Sequence, residues 1–279
     1  TLEGLKNLEA SFEIFDNKII VKSNGFKTFE KTVSFSVNES GSSLRMLIPI
    51  CSLIFDETKI TGTKKLFERP LNIYEEIFES QNVKFERHFD SVSFSKGLKN
   101  GVFEIKGNIS SQFISGLLFA LPLLEEDSKI IITGSYESKS YVDLTIHVLD
   151  SFGIKIIEEK NNVYLIKGKQ RYKNSNFTVE GDYSQMAFFG VLAAINNNLE
   201  IFNLRHDSKQ GDKVIIDILK KANVRVQEIN TGYIIEKSNL KPFEISLKDC
   251  PDLGPILFVL ASVIAGESKI YDISRLKLK

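Results

Sequence analysis

One pattern recurs along this chain and limits what it can fold into. Polar helix starts return at a spacing of about 70 residues. They are Glu39-Ser40-Gly41-Ser42-Ser43-Leu44-Arg45, Ser110-Ser111-Gln112-Phe113 with Ser138-Lys139-Ser140-Tyr141 behind it, Gly181-Asp182-Tyr183-Ser184-Gln185, and Cys250-Pro251-Asp252. Between them lie matching strand and helix patterns. Thr58–Gly62, Ser128–Gly134 and Leu199–Leu204 each lead into a helix, expected from about Arg69, Tyr141 and Gly211. Each helix is followed by a pair of short β-branched runs, such as Val83–Glu86 with Val92–Phe94, or Ile154–Ile157 with Val163–Leu165. Helix faces show the 3.6-residue period: Phe113, Leu117, Leu118 and Leu121 on one, Ile215, Ile218 and Leu219 on another. The repeat therefore reads strand, helix, strand, helix, strand, strand, a βαβαββ unit of an α/β fold.

Three repeats read as complete, over residues 33–96, 102–166 and 176–236. An earlier one keeps a helix with Leu5 and Leu8 and two strands, Phe12–Phe15 and Ile19–Val21; a fifth stops at Lys279 before its second helix. Both ends of the sequence thus read as cut, and the chain by itself is expected to be inactive. A helix cap needs a single Ser, Thr, Asp or Asn. Ser-Ser-Gln, or Gly-Ser-Ser with an Arg close behind, exceeds that need. Helix N-termini present free N–H groups to anions, so a repeated set of them suggests a site for a small polyanion.

Basic and acidic residues balance at 36 each, so no global field draws nucleic acid. No run of about 18 apolar residues occurs, so no membrane span is expected. The 42% apolar content suits a soluble globular chain. Cys51 sits among Leu47, Ile48, Ile50, Leu53 and Ile54 and reads as core. Cys51 and Cys250 lack nearby metal-ligand partners, so neither zinc nor a disulfide is expected, and the setting reads as reducing and cytoplasmic. His88 reads as a strand end, His147 as helix surface or core, and His206 as a loop residue.

Only seven of the 36 basic residues are Arg, so Arg45 and Arg69 draw notice. Arg69 precedes Pro70, a residue suited to a helix first turn. Its guanidinium either holds a carboxylate or phosphate in bidentate fashion or pairs with Glu68 or Glu75. Gly134-Ser135-Tyr136-Glu137-Ser138-Lys139-Ser140 lacks the second glycine before its lysine, so it is no nucleotide P-loop.

In this order, Ser40–Arg45, Thr61-Gly62 through Glu68-Arg69-Pro70, Ser110–Phe113, Ser138–Asp143, Gly181–Gln185 and Cys250–Pro255 resemble the enolpyruvyl transferases, specifically the enolpyruvylshikimate-phosphate synthase branch. The closing Arg275–Lys279 resembles the start of that family's Lys-Glu-Ser-Asp-Arg segment. The resemblance spans essentially the whole chain. It implies a two-domain fold, an inside-out α/β barrel with three repeats per domain, incomplete here at both termini. It also implies a first domain over residues 1–179, on the shikimate phosphate side, and a partial second domain over 180–279 with the catalytic Asp.

The implied reaction moves the enolpyruvyl group of phosphoenolpyruvate to the 5-hydroxyl of shikimate 3-phosphate, by addition and then elimination of phosphate, with no cofactor and no metal. Carried over by position, Ser110, Ser111, Gln112, Ser138, Tyr141, Asp252 and Lys279 hold shikimate 3-phosphate. Gly41, Arg69 and Gln112 hold phosphoenolpyruvate. Asp252 is the general base, and Lys279 contacts substrate and moves protons. Ser140 stands where the family more often has Pro, which bears on loop stiffness. The resemblance also implies a monomer whose partners are these small molecules, with no nucleic acid and no membrane. Without the resemblance, Asp252 reads more readily as a helix N-cap acid stabilised by the dipole than as a base, and both readings can hold at once. Two rivals remain: the sister transferase acting on UDP-N-acetylglucosamine, which uses a mobile cysteine loop, and a non-catalytic ligand-binding remnant.

Overall fold

The computed structural model of this chain describes residues 2–7, 10–16, 18–23, 25, 27–160, 162–274 and 276. The first, partial repeat gives α1 (Leu2–Asn7), β1 (Ser11–Phe15) and β2 (Lys18–Lys22). The second gives β3 (Phe29–Ser36), α2 (Gly41–Ile54), β4 (Phe55–Thr61), α3 (Lys64–Phe67), α4 (Asn72–Ser80), β5 (Phe85–Arg87) and β6 (Ser91–Ser95). The third gives β7 (Val102–Lys106), α5 (Ser111–Ala120), β8 (Ser128–Thr133), α6 (Lys139–Ser151), β9 (Ile156–Glu159) and β10 (Val163–Ile166). The fourth gives α7 (Tyr183–Ile195), β11 (Leu199–Phe202), α8 (Ile215–Lys221), β12 (Arg225–Ile229) and β13 (Gly232–Glu236). The last gives β14 (Glu244–Ser246), α9 (Gly254–Ser262) and β15 (Lys269–Tyr271), and short 3-10 turns stand at Gly211–Val214 and Pro251–Leu253.

The second and third repeats build the same four-stranded sheet, in the orders β3-β4-β6-β5 and β7-β8-β10-β9. In each, the first two strands are parallel and are joined through a helix; the later pairs are antiparallel. Register follows burial: Phe103 opposes Ile130 and Ile105 opposes Ile132 across β7 and β8, and all four are core. A one-residue slip would turn that whole face to water. The fourth repeat departs from expectation. Its sheet has three strands, β11-β13-β12, and no strand lies between Ile166 and Tyr183. Where the repeat over 176–236 predicts a leading strand, Phe177 and Val179 are exposed (39% and 78%), so burial gives that segment little reward for ordering as one. The expected helix near Arg69 begins later, at Asn72, after α3 and the Arg69-Pro70 corner.

Contacts group the chain into two compact units, Thr1–Ser135 with Phe152–Lys173, and Tyr136–Ser151 with Asn174–Lys279. In the first, α2 and α5 pack closely. Pro49 lies inside α2 and has no N–H to give the carbonyl four residues back, that of Arg45. The Tyr74 hydroxyl donates to that carbonyl instead, at 2.6 Å. Gly116 of α5 makes room: a Cβ there would fall 2.4 Å from the Tyr74 hydroxyl and 2.6 Å from the Arg45 carbonyl oxygen. Tyr74 also meets Phe113 edge-on, with ring centroids 5.0 Å apart.

The second unit has its own core of Tyr183, Met186, Val191, Ile215, Ile218, Leu219, Leu253 and Leu257. Helices α7 and α9 pack on one another there. Both also expose large apolar side chains: Phe188, Phe189 and Leu192 on α7, and Phe258 and Val259 on α9, with Val263 just past its end.

Candidate active site

Within the first unit, the start of α2 faces the start of α5. Ser40 caps α2, its hydroxyl accepting from the Ser43 N–H at 3.1 Å. Ser110 caps α5 by accepting from the Gln112 N–H at 3.4 Å, and Ser111, the first residue of that helix, is buried. Gln112 is clamped at both ends of its amide. Its Oε1 accepts from Arg45 Nη1 at 2.8 Å and its Nε2 donates to Ser42 Oγ at 2.7 Å. Gly41, the first residue of α2, is the meeting point. A Cβ on it would lie 3.3 Å from Arg45 Nη1, 3.4 Å from Arg69 Nη1 and 3.8 Å from Gln112 Oε1.

Two guanidiniums thus converge on one glycine. Arg45 is buried, lies over the Phe113 ring and donates from Nη2 to the Pro70 carbonyl at 3.3 Å. Burial, and then the Arg69 charge, pull its pKa below the ordinary guanidinium value. No carboxylate pairs with Arg69 among the described residues. Glu75, expected as a rival partner, pairs with Arg87 at 3.5 Å instead. Two neighbouring cations beside a helix N-terminus form a site that an anion would relieve. Of the residues expected around phosphoenolpyruvate, Gly41, Arg69 and Gln112 are brought together. Arg45 joins them; the sequence marks it by the scarcity of arginine and by its place close behind Gly41-Ser42-Ser43, without assigning it to the donor site.

In the second unit, Ser138 precedes α6 with φ 56°, the left-handed region that a serine seldom occupies. Its N–H donates to the Lys248 carbonyl at 3.1 Å, and the residue is buried. Ser140 Oγ donates to the Asp249 carbonyl at 3.1 Å. Tyr141, on the first turn of α6, places its hydroxyl 3.0 Å from Asp252 Oδ2 and 3.2 Å from Asp212 Oδ2. Ser184 Oγ also donates to Asp212 Oδ2. Ser138, Tyr141 and Asp252 are therefore held in one neighbourhood. Asp252 makes no side-chain cap, but it is the acid of the first turn of the Pro251–Leu253 3-10 helix, so the dipole reading stands beside the catalytic one. Asp212 and Ser184 were missed. Asp212 stood inside an unremarkable Gln-Gly-Asp-Lys run, and only its contacts single it out.

Both cysteines are buried. Burial pushes the Cys51 thiol up to about 12. Burial, Asp212 and Asp249 do the same for Cys250, also to about 12. Neither matches the mobile thiol of the sister transferase. His88 and His147 are exposed; His206 contacts the Tyr233 hydroxyl at 3.1 Å, apart from the expected site residues. No cluster of His, Cys, Asp and Glu suited to a metal occurs among the described residues. No described helix is long and apolar enough to cross a membrane. Lys279 lies outside the described residues.

A family model described as EPSP synthase (3-phosphoshikimate 1-carboxyvinyltransferase) matches residues 1–279. A protein of Clostridium perfringens named 3-phosphoshikimate 1-carboxyvinyltransferase is 41% identical over 283 residues, covering 100% of this chain and 66% of that protein. One of Brachyspira hyodysenteriae with the same name is 39% identical over 283 residues, covering 100% and 67%. The chain thus spans about two thirds of the length of these relatives. Among solved structures, an EPSP synthase from Acinetobacter baumannii superposes with a TM-score of 0.74 at 20% identity, over 96% of this chain and 64% of that one, a likeness of fold.

Proposed function

Because the chain belongs to the EPSP synthase family, we propose that the whole protein transfers the enolpyruvyl group of phosphoenolpyruvate to the 5-hydroxyl of shikimate 3-phosphate and releases phosphate. The convergence of Arg45, Arg69 and Gln112 on Gly41 carries this reading, because it supplies cationic and N–H groups for an anionic donor. Gly41, Arg69 and Gln112 hold phosphoenolpyruvate. Ser110, Ser111, Gln112 and Ser138 hold shikimate 3-phosphate through hydroxyl and amide donors, and Tyr141 lines that pocket. The 5-hydroxyl oxygen adds to the middle carbon of phosphoenolpyruvate while its methylene carbon takes a proton. Asp252 accepts the hydroxyl proton. Elimination of phosphate, with loss of a proton from the new methyl, restores the double bond. Lys279 is assigned substrate contact and proton movement on resemblance alone. A cytoplasmic monomer, with its domains divided at about residue 179, belongs to the same proposal.

The test is turnover, read as phosphate release, in Asp252→Ala of the full-length protein. Loss of a positioned base cuts the rate by about 10²–10⁴-fold, while shikimate 3-phosphate binding by calorimetry stays largely intact. Near-normal turnover would remove Asp252 from the chemistry.

A further inference from the structure

We infer that Asp212 is a positioning residue for this reaction, acting on Asp252 through the hydroxyl of Tyr141; this rests on the assignment of Asp252 as base. The phenol has one proton and two carboxylates within reach, Asp252 Oδ2 at 3.0 Å and Asp212 Oδ2 at 3.2 Å. It donates to one at a time. While Asp252 is ionised, donation from Tyr141 steadies its charge and fixes the carboxylate's orientation. Once Asp252 has taken the substrate proton, that donation is worth less. Asp212, whose Oδ2 Ser184 holds in place, is then the better acceptor, and the phenol proton turns to it. The hydroxyl thus follows the charge, and Asp252 is not held so firmly as an acceptor that it cannot take a proton.

The placement of Asp212 is built into the fold. Its side chain is buried, and Ser184 Oγ, at the start of α7, donates to the same Oδ2. Its neighbour Gly211 lets the 3-10 turn come against α6: a Cβ there would lie 2.3 Å from Ser140 Oγ and 2.7 Å from the Asp249 carbonyl oxygen. The turn, α6 and the Asp252 segment are therefore locked in register.

The experiment is a double-mutant cycle on turnover in the full-length protein, with Asp212→Asn, Tyr141→Phe and the pair. Each single change is expected to lower kcat about 10-fold; in Asp212→Asn, at a residue outside the substrate-holding set, the KM for shikimate 3-phosphate moves less than about threefold. The pair should be no worse than about 10-fold, because both act through one hydroxyl. Asp212→Glu should recover part of the loss that Asp212→Asn causes. Multiplying losses, a change confined to KM, or full turnover in Asp212→Asn would overturn the inference. Asp252→Ala in the same series separates the two claims. If it keeps turnover, the base assignment itself fails. If it is dead while Asp212→Asn is unimpaired, only the role of Asp212 falls.

Discussion

Replacing Tyr74 by Phe tests how the first unit tolerates a proline inside α2. The ring stays, so no cavity opens; only the hydroxyl is lost. That hydroxyl is the donor to the Arg45 carbonyl at 2.6 Å, in a place where Tyr74 is fully buried and burial holds its phenol well above the usual pKa range. Pro49 cannot supply the missing helical N–H. A buried acceptor left without a donor costs about 1–3 kcal/mol. The nearby Phe113 carbonyl, 3.3 Å from the same hydroxyl, belongs to the interior of α5 and adds little. Pro49→Ala restores an N–H four residues after Arg45, so in that background the cost of Tyr74→Phe should shrink by about 1 kcal/mol or more. Urea unfolding followed by circular dichroism measures both, with unchanged m required for the comparison. An equal cost with and without Pro49 would refute the account.

Ser110→Ala with Ser111→Ala should weaken shikimate 3-phosphate binding by about 1–3 kcal/mol, from loss of charge-assisted hydrogen bonds; calorimetry reads it, and unchanged affinity would clear both serines. Alkaline stability should fall with pH from about 9 to about 12, because the unfolded chain gives up its thiol protons at the ordinary value and the buried thiols hold theirs. Below that window the contribution is fully present, and the slope is up to about 1.4 kcal/mol per pH unit for each thiol. Cys51→Ala should flatten the slope, and an unchanged curve would count against buried Cys51. The 279-residue polypeptide should self-associate through the apolar side chains exposed on α7 and α9; sedimentation showing a clean monomer at high concentration would contradict this.

Local chemistry made much of this fold legible. Ser40, Ser110 and Asp182 cap helices because each supplies an acceptor for N–H groups that the helix leaves free. The hairpins β9–β10 and β12–β13 follow from β-branched runs split by short turns. The missing strand of the fourth repeat was not legible, since a strand depends on a core to face, and Phe177 and Val179 are exposed. Gly41, Arg69 and Gln112 were named by motif, and the fold brings them together. Arg45 and Asp212 were not assigned, because their roles come from partners distant in sequence: Gln112 is 67 residues from Arg45, and Tyr141 is 71 from Asp212.

The left-handed backbone at Ser138 has a bearing on how such a chain drifts under selection. At φ 56° a side chain costs roughly 1–2 kcal/mol that glycine would not incur. Any selection for thermal tolerance alone therefore pulls this codon toward glycine, and every step in that direction removes the hydroxyl. A variant library sorted by melting temperature should enrich Ser138→Gly, and the same library sorted by growth that depends on the enzyme should discard it. If Ser138 holds shikimate 3-phosphate as proposed, position 138 is a place where robustness and chemistry ask for different residues.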